Sequence, residues 1–288
     1  MGISRWFSGL SAALGAALLP TVVRAQDGLE TIGRPEPGGM GFQTPVTELA
    51  RDIVWLDTTL LYIITAVSVF VLALLAIVIF RFNRARNPEP ASFTHNATLE
   101  VAWTVVPIII LIFIGSLSLP VLFKQLEIPE ADLTIKTTGN QWYWTYEYPD
   151  EQLEFDAFML QRDELVEHGY GEEDFLLATD TAVVVPVDAV VRLQVTAGDV
   201  IHAWKIPAFG VHMDAIPGRL NETWFQAERE GIYFGQCSEL CGKDHSYMPI
   251  VVKVVSEEAY AAWLEEAREL YATGPRRENN VDVAQATE

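Results

Sequence analysis

The chain is nearly without cysteine: two residues in 288. That excludes a framework of several disulfides. Histidine is scarce too, with five residues, too few to build several metal centres at once. Positive charge is outnumbered, with 19 Lys plus Arg against 39 Asp plus Glu and a formal net charge of −20. A surface this acidic argues against a nucleic-acid partner, whose phosphates it would repel. No segment repeats another, so a solenoid or propeller array is excluded.

Charge is missing altogether from two stretches. Thr58 to Phe80 and Val101 to Phe123 each run 23 residues without a charged side chain. About 20 apolar residues cross a hydrocarbon core, so both read as membrane helices, joined as a hairpin over 52–124. Pro107 and Pro120 do not oppose this, because prolines are tolerated in membrane helices. The connecting loop holds Arg81, Arg84 and Arg86, and the positive-inside bias puts it in the cytoplasm.

Residues 1–25 read as a cleaved signal peptide. Arg5 supplies the positive start, Phe7 to Leu19 the short apolar core, and Val23-Arg24-Ala25 the small residues before a cut near Gln26. Both mature termini then lie outside. Residues 26–51, rich in Gly and Pro, are expected to form an extended outer arm.

From Leu133 the apolar period shortens. Segments such as Thr134–Thr138, Trp142–Tyr148, Ala182–Pro186, Val190–Thr196, Thr223–Ala227, Gly231–Gly235 and Ile250–Val255 are β-branched or aromatic and bounded by turn residues. Many short strands with turn signals between them predict an all-β sandwich over 125–273. Residues 157–174 interrupt the pattern as a polar insertion. Ser256 to Ala272 is predicted as a C-terminal helix, capped by Ser256, with Tyr260, Trp263, Leu264 and Ala267 on one face. Residues 274–288 are a polar tail.

Both cysteines fall in Cys237-Ser-Glu-Leu-Cys241-Gly-Lys-Asp-His245-Ser-Tyr-Met248. Sulfur donors with imidazole select copper, zinc or iron–sulfur, and a thioether argues against zinc and for copper. A disulfide between Cys237 and Cys241 would leave His245, Met248 and the more distant His202 unexplained. A cupredoxin-type sandwich holds copper in a loop between two late strands and takes one more histidine from an earlier strand. Here Gly231–Gly235 leads into such a loop, Ile250–Val255 leaves it, and His202 is the candidate early histidine. A mononuclear blue-copper site needs one thiolate. The second thiolate allows two bridged copper ions, with Met248 and a loop carbonyl near Glu239 as weak ligands.

These motifs, with Gly139-Asn-Gln-Trp-Tyr-Trp-Thr-Tyr-Glu-Tyr148 and Asp214-Ala-Ile-Pro-Gly-Arg-Leu-Asn221, resemble subunit II of the bacterial aa3-type cytochrome c oxidases, within the haem–copper oxidases. The resemblance covers nearly everything from Ile53 to Ala272. It implies a two-helix transmembrane hairpin followed by a cupredoxin-like sandwich holding a binuclear copper centre, CuA. Its ligands would be His202, Cys237, Cys241, His245 and Met248, with the Glu239 carbonyl. The Glu239 side chain would reach a magnesium or manganese ion shared with subunit I, and Asp214 would lie near it through water. Trp142 would be where electrons arrive from cytochrome c. Glu147, Asp180, Asp199 and Asp156 would form the docking patch, and Glu100 the mouth of a proton path.

The implied partners are subunit I, with haem a, haem a3 and a third copper (CuB), other oxidase subunits, cytochrome c and membrane lipid. The implied location is the bacterial inner membrane with the copper domain in the periplasm. Electrons would pass on to haem a, and oxygen would be reduced to water, with proton pumping, in subunit I. Over 125–275 the chain has 28 acidic against 9 basic residues, which suits a lysine-rich partner. Two other readings stand beside this one: a quinol oxidase subunit II, which normally lacks the copper ligands, and a membrane-anchored copper-binding cupredoxin outside an oxidase.

Overall fold

The computed structural model describes residues 28–273. The expected signal peptide and the polar tail lie outside the described residues.

Two long helices come first, α1 (Glu48–Arg81) and α2 (Ala97–Leu126). In lipid every backbone N–H and C=O must find a partner within its own segment, and a helix does this. At 1.5 Å per residue their 34 and 30 residues reach about 51 and 45 Å, enough to cross the core and stand clear of it. No residue of α2 is buried within the chain, and in α1 only Leu49 and Ala50 are. The rest of this apolar surface is left for lipid or for another subunit.

The hairpin is bound to the next domain at the start of α1, which begins four residues before position 52. Thr47 caps the helix by accepting from Ala50 N at 2.9 Å and donates its hydroxyl to Phe209 O at 2.8 Å. Both residues flanking the joint are buried, so the cap also fixes the helix to the sandwich. Gly210 allows the close approach. Its φ is +69°, and a Cβ there would lie 2.9 Å from Ala50 Cα. Arg51 adds a bidentate pair with Glu228, 2.7 Å on each arm, and Trp224 Nε1 donates to Lys124 O at 3.3 Å.

The remainder is a two-sheet sandwich. One sheet has the order β4 (Leu153–Ala157), β3 (Tyr143–Tyr148), β2 (Leu133–Asn140), β6 (Val190–Ala197) and β9 (Asn221–Gln226). The other has β1 (Thr31–Gly33), β10 (Gly231–Gln236), β11 (Pro249–Val255) and β5 (Val183–Pro186). A ribbon of β7 (His202–Ile206) and β8 (Val211–Ala215) stands beside them. Strict alternation sorts the strands' faces: Trp144, Tyr146 and Tyr148 point inward while Tyr143, Thr145 and Glu147 do not. Trp204, Phe209, Phe225 and Tyr233 fill the centre with stacked and tilted rings 4.7 to 6.2 Å apart. Helix α3 (Glu257–Tyr271) closes one end, with its cap at Ser256 and Trp263 against Tyr148.

Three features differ from the sequence reading. The arm is not merely extended: β1 pairs in parallel with β10. Strands β4 and β8 fall where none is expected, because their outward positions are Glu154, Asp156, His212 and Asp214, residues of low strand preference. The 157–174 insertion is not wholly polar. Leu160, Leu165 and Tyr170 bury against Ile232, Phe234 and Val251 as a second small core. Arg34 of the arm clamps it by donating to the buried Asp174 carboxylate at 2.7 and 3.0 Å.

Candidate metal centre

The ladder between β10 and β11 ends at Gln236 and Pro249, and the chain between them is free to fold back as a loop. Ser238 N donates to Ala203 O at 3.1 Å, which draws the loop against β7. That contact brings His202, 35 residues away in sequence, to the cysteines. His202 Nδ1 lies 3.9 Å from Cys237 Sγ, and the two sulfurs lie 3.9 Å apart. On the other side Cys241 Sγ is 3.5 Å from His245 Nδ1 and 3.6 Å from Met248 Sδ. The Glu239 carbonyl is 3.4 Å from Cys237 Sγ. Both cysteines are free, and Cys237, Cys241, Met248 and His202 are buried.

The electrostatics divide the two thiols. Burial pushes Cys237 up, but hydrogen bonds from His202 and the backbone outweigh it and hold the thiol below its ordinary value. Burial, followed by the neighbouring Cys237, pushes Cys241 up to about 12. The loop therefore favours ionisation of Cys237 over that of Cys241. Two metal-bound thiolates require added positive charge, so binding must release a proton.

The surroundings hold the donors still. His202 Nε2 meets Asp199 Oδ1 at 2.8 Å, which leaves Nδ1 facing the sulfurs. A Cβ at Gly139 would lie 2.9 Å from the His202 ring, so only glycine lets β2 pass under it. Trp144 Nε1 donates to Met248 O at 3.2 Å. Cys241 O accepts from Gln141 Nε2 at 2.7 Å and from Trp142 Nε1 at 3.3 Å, and Lys243 Nζ stands 5.4 Å above the Trp142 ring. Neither the Gln141 nor the Trp144 contact is signalled by spacing along the chain, since each partner is about 100 residues away.

The remaining sequence candidates occupy three places. Asp199, Asp156 and Asp180 are exposed at the margin of the Trp142 hairpin. Asp199 also accepts from Gln141 N at 2.7 Å, so it serves internal structure as well as surface charge. Glu147 is less free, with its side chain 17% exposed and bound to Lys136 at 2.5 Å. Glu239 and Asp214 are both exposed, and the ribbon and loop that carry them meet where His212 Nε2 lies 3.0 Å from Ser238 Oγ. Glu100 sits at the far end of the hairpin and accepts from Asn96 N at 3.0 Å, a helix-capping role.

The site suits copper. Two thiols, two imidazoles and a thioether converge without a disulfide, a soft set with no hard donor among the side chains. Fold and site together define a membrane-anchored, cupredoxin-type copper protein. Residues 133–255 match the family model for the cytochrome c oxidase subunit II periplasmic domain, and residues 35–121 match that for its transmembrane domain. The chain belongs to the cytochrome c oxidase subunit II family. It is 56% identical over 281 residues to cytochrome c oxidase subunit 2 of Cereibacter sphaeroides, covering 93% of this chain and 91% of that one. It is 45% identical over 241 residues to a probable cytochrome c oxidase subunit 2 of Rickettsia bellii, covering 83% and 88%. A crystal structure of the periplasmic domain of subunit II from Bradyrhizobium japonicum is 54% identical, with a TM-score of 0.46, and covers 51% of this chain and 100% of that one.

Proposed function

We propose that this subunit is where electrons from a cytochrome c enter the oxidase, at a binuclear copper centre held by His202, Cys237, Cys241, His245, Met248 and the Glu239 carbonyl, on their way to haem a of subunit I. The carrying observation is that this donor set converges at one end of the core while Trp142, half-buried beside it, donates to the carbonyl of Cys241. When bound, a copper pair supplies a one-electron store whose change of geometry on reduction is spread over many bonds. The protein's own residues do the rest. Asp199 fixes the His202 ring, Gly139 leaves room for it, and Trp144 secures the backbone at Met248. Gln141 and Trp142 hold the Cys241 carbonyl from the side a partner would approach.

The exposed Asp156, Asp180 and Asp199 favour a basic partner and speed its arrival by long-range attraction. Glu239 and Asp214 offer oxygen donors suited to magnesium or manganese, with subunit I to complete the coordination. Glu100 would mark the mouth of the proton path at the opposite end of the hairpin. The arginine-rich turn supports a cytoplasmic loop, and hence a periplasmic sandwich over 125–273 after a cleaved 1–25 signal. The domain limits are those of the arm, 26–51, the hairpin, 52–124, and the tail, 274–288.

The test is the copper signal of the assembled complex. A paramagnetic spectrum with one electron shared over two coppers is expected. The spectrum of a single isolated copper would remove the binuclear assignment.

A further inference from the structure

Where α1 leaves the sandwich, a cavity of about 760 Å³ opens between the arm, the helix and the β7–β8 ribbon. That is a size typical of small-ligand sites. Its wall on α1 is Ala50, Ile53 and Val54. These lie four to eight residues before Thr58, where the uncharged run begins, so roughly 6 to 12 Å above it along the axis. The headgroup layer on each face of a bilayer is about 5 to 8 Å thick, so the cavity opens into it. Trp55, next to Val54 and 53% exposed, is the kind of side chain that settles at that depth. Met40 and Phe42 also line the cavity and keep apolar side chains in the open there.

The polar groups in the cavity are unspent. Most basic side chains of the sandwich are bound to carboxylates, as Lys136, Arg192, Arg229 and Arg268 are. Lys205 lines the cavity half-buried and has no carboxylate partner among the described residues. Its opposite number across the ladder is His212, so no acid stands on that rung. Arg34 lines the cavity too but is taken by Asp174. Gln43 supplies the converse group. Its Oε1 is buried and accepts no hydrogen bond among the described residues, a costly state that a bound donor would relieve. The terminal torsion of a glutamine is soft, so the oxygen can turn to meet one. Glu36 stands exposed at the same cavity.

We propose that this cavity binds the headgroup of one phosphatidylethanolamine from the leaflet on the sandwich side. Lys205 takes the phosphate, and Gln43 Oε1 and Glu36 take the ammonium. The acyl chains leave past Ile53 and Val54 along α1. The free cation and the free acceptor match a zwitterion. An anionic headgroup would meet the acidic excess of the domain without satisfying Gln43. A choline headgroup carries no N–H to donate.

The experiment uses the whole oxidase, stripped of lipid in detergent and titrated with phosphatidylethanolamine, phosphatidylcholine or phosphatidylglycerol of the same acyl chains. Bound lipids are counted by native mass spectrometry, and a photoreactive phosphatidylethanolamine maps the contact. One phosphatidylethanolamine should be retained, at least tenfold more tightly than the other two, and should cross-link within residues 34–54. Lys205→Ala should weaken it roughly tenfold or more, and Lys205→Arg should restore it. Gln43→Leu should erase the preference for ethanolamine over choline. The copper spectrum and turnover with cytochrome c should stay as in the parent, which shows that the variants fold. Equal retention by the parent and Lys205→Ala would overturn the proposal. So would equal binding of the choline lipid to the parent, the mark of a non-specific boundary lipid. A parent that keeps no lipid and cross-links nothing in 34–54 would mean that subunit I fills the cavity, and would overturn it too.

Discussion

The hairpin and the sandwich use the same kinds of side chain to opposite ends. In α2 not one of 30 residues is buried within the chain, although it is almost wholly apolar. In β10 five of six are buried, and the strand is no more apolar. The sandwich completes its own core and can therefore fix a metal site to within a bond length. The hairpin supplies an apolar surface that lipid or another subunit must cover. One region carries the geometry and the other the address. They meet at a narrow joint around Thr47, Ala50 and Gly210, so the copper loop is held at a set distance from the membrane.

This contrast can be broken from either side. The largest effect is expected inside the sandwich. Cys237→Ser or Cys241→Ser should abolish the two-copper spectrum and with it oxidation of cytochrome c, while the hairpin still inserts. A variant that kept the shared-electron signal would show that the thiols are not both ligands. Trp142→Ala should come next, cutting turnover on the order of 100-fold with the spectrum unchanged. Unaltered turnover would make Trp142 a packing residue.

Asp199→Ala removes the partner of His202 Nε2 and should weaken copper binding roughly 10–100-fold, measured by competition with a chelator. An effect confined to KM for cytochrome c would assign Asp199 to the surface alone. At the joint, Gly210→Ala puts a Cβ against Ala50 at a positive φ and should cost about 1–3 kcal/mol, read from thermal unfolding of the sandwich. Arg51→Ala tests the weakest link. Both partners of its pair are more than 40% exposed, so the loss should be about 0.2–1 kcal/mol and shrink with salt. A larger loss would mean that the joint depends on its outer ion pair rather than on the buried cap.

The same contrast explains what could be read in advance. The hairpin was legible because a run of 23 uncharged residues has one stable answer in lipid. The Cys237–Met248 loop was legible because its donors lie three and four residues apart, close enough to meet whatever the fold does around them. Strand β8 and the arm strand β1 were not legible. Their residues take strand form only because β7 and β10 lie alongside, a tertiary cause that overrides weak local preference. Phe158 was not legible either: β4 was not expected, and the stacking of Phe158 on Tyr143 depends on the β3–β4 register.

The amino-acid sequence alone determined the two spans, the sandwich class, the soft donor set and the acidic balance, because each follows from composition or short-range spacing. Only the tertiary structure decided which nitrogen of His202 faces the sulfurs, that Asp199 and Gln141 brace the site, and that Glu147 is spent on Lys136. It also decided that Trp142 hangs on the carbonyl of Cys241. Those contacts join residues far apart in the chain or across paired strands, and a hydrogen bond depends on distances of a few tenths of an ångström. Such distances are set by packing, and no pattern along the sequence encodes them.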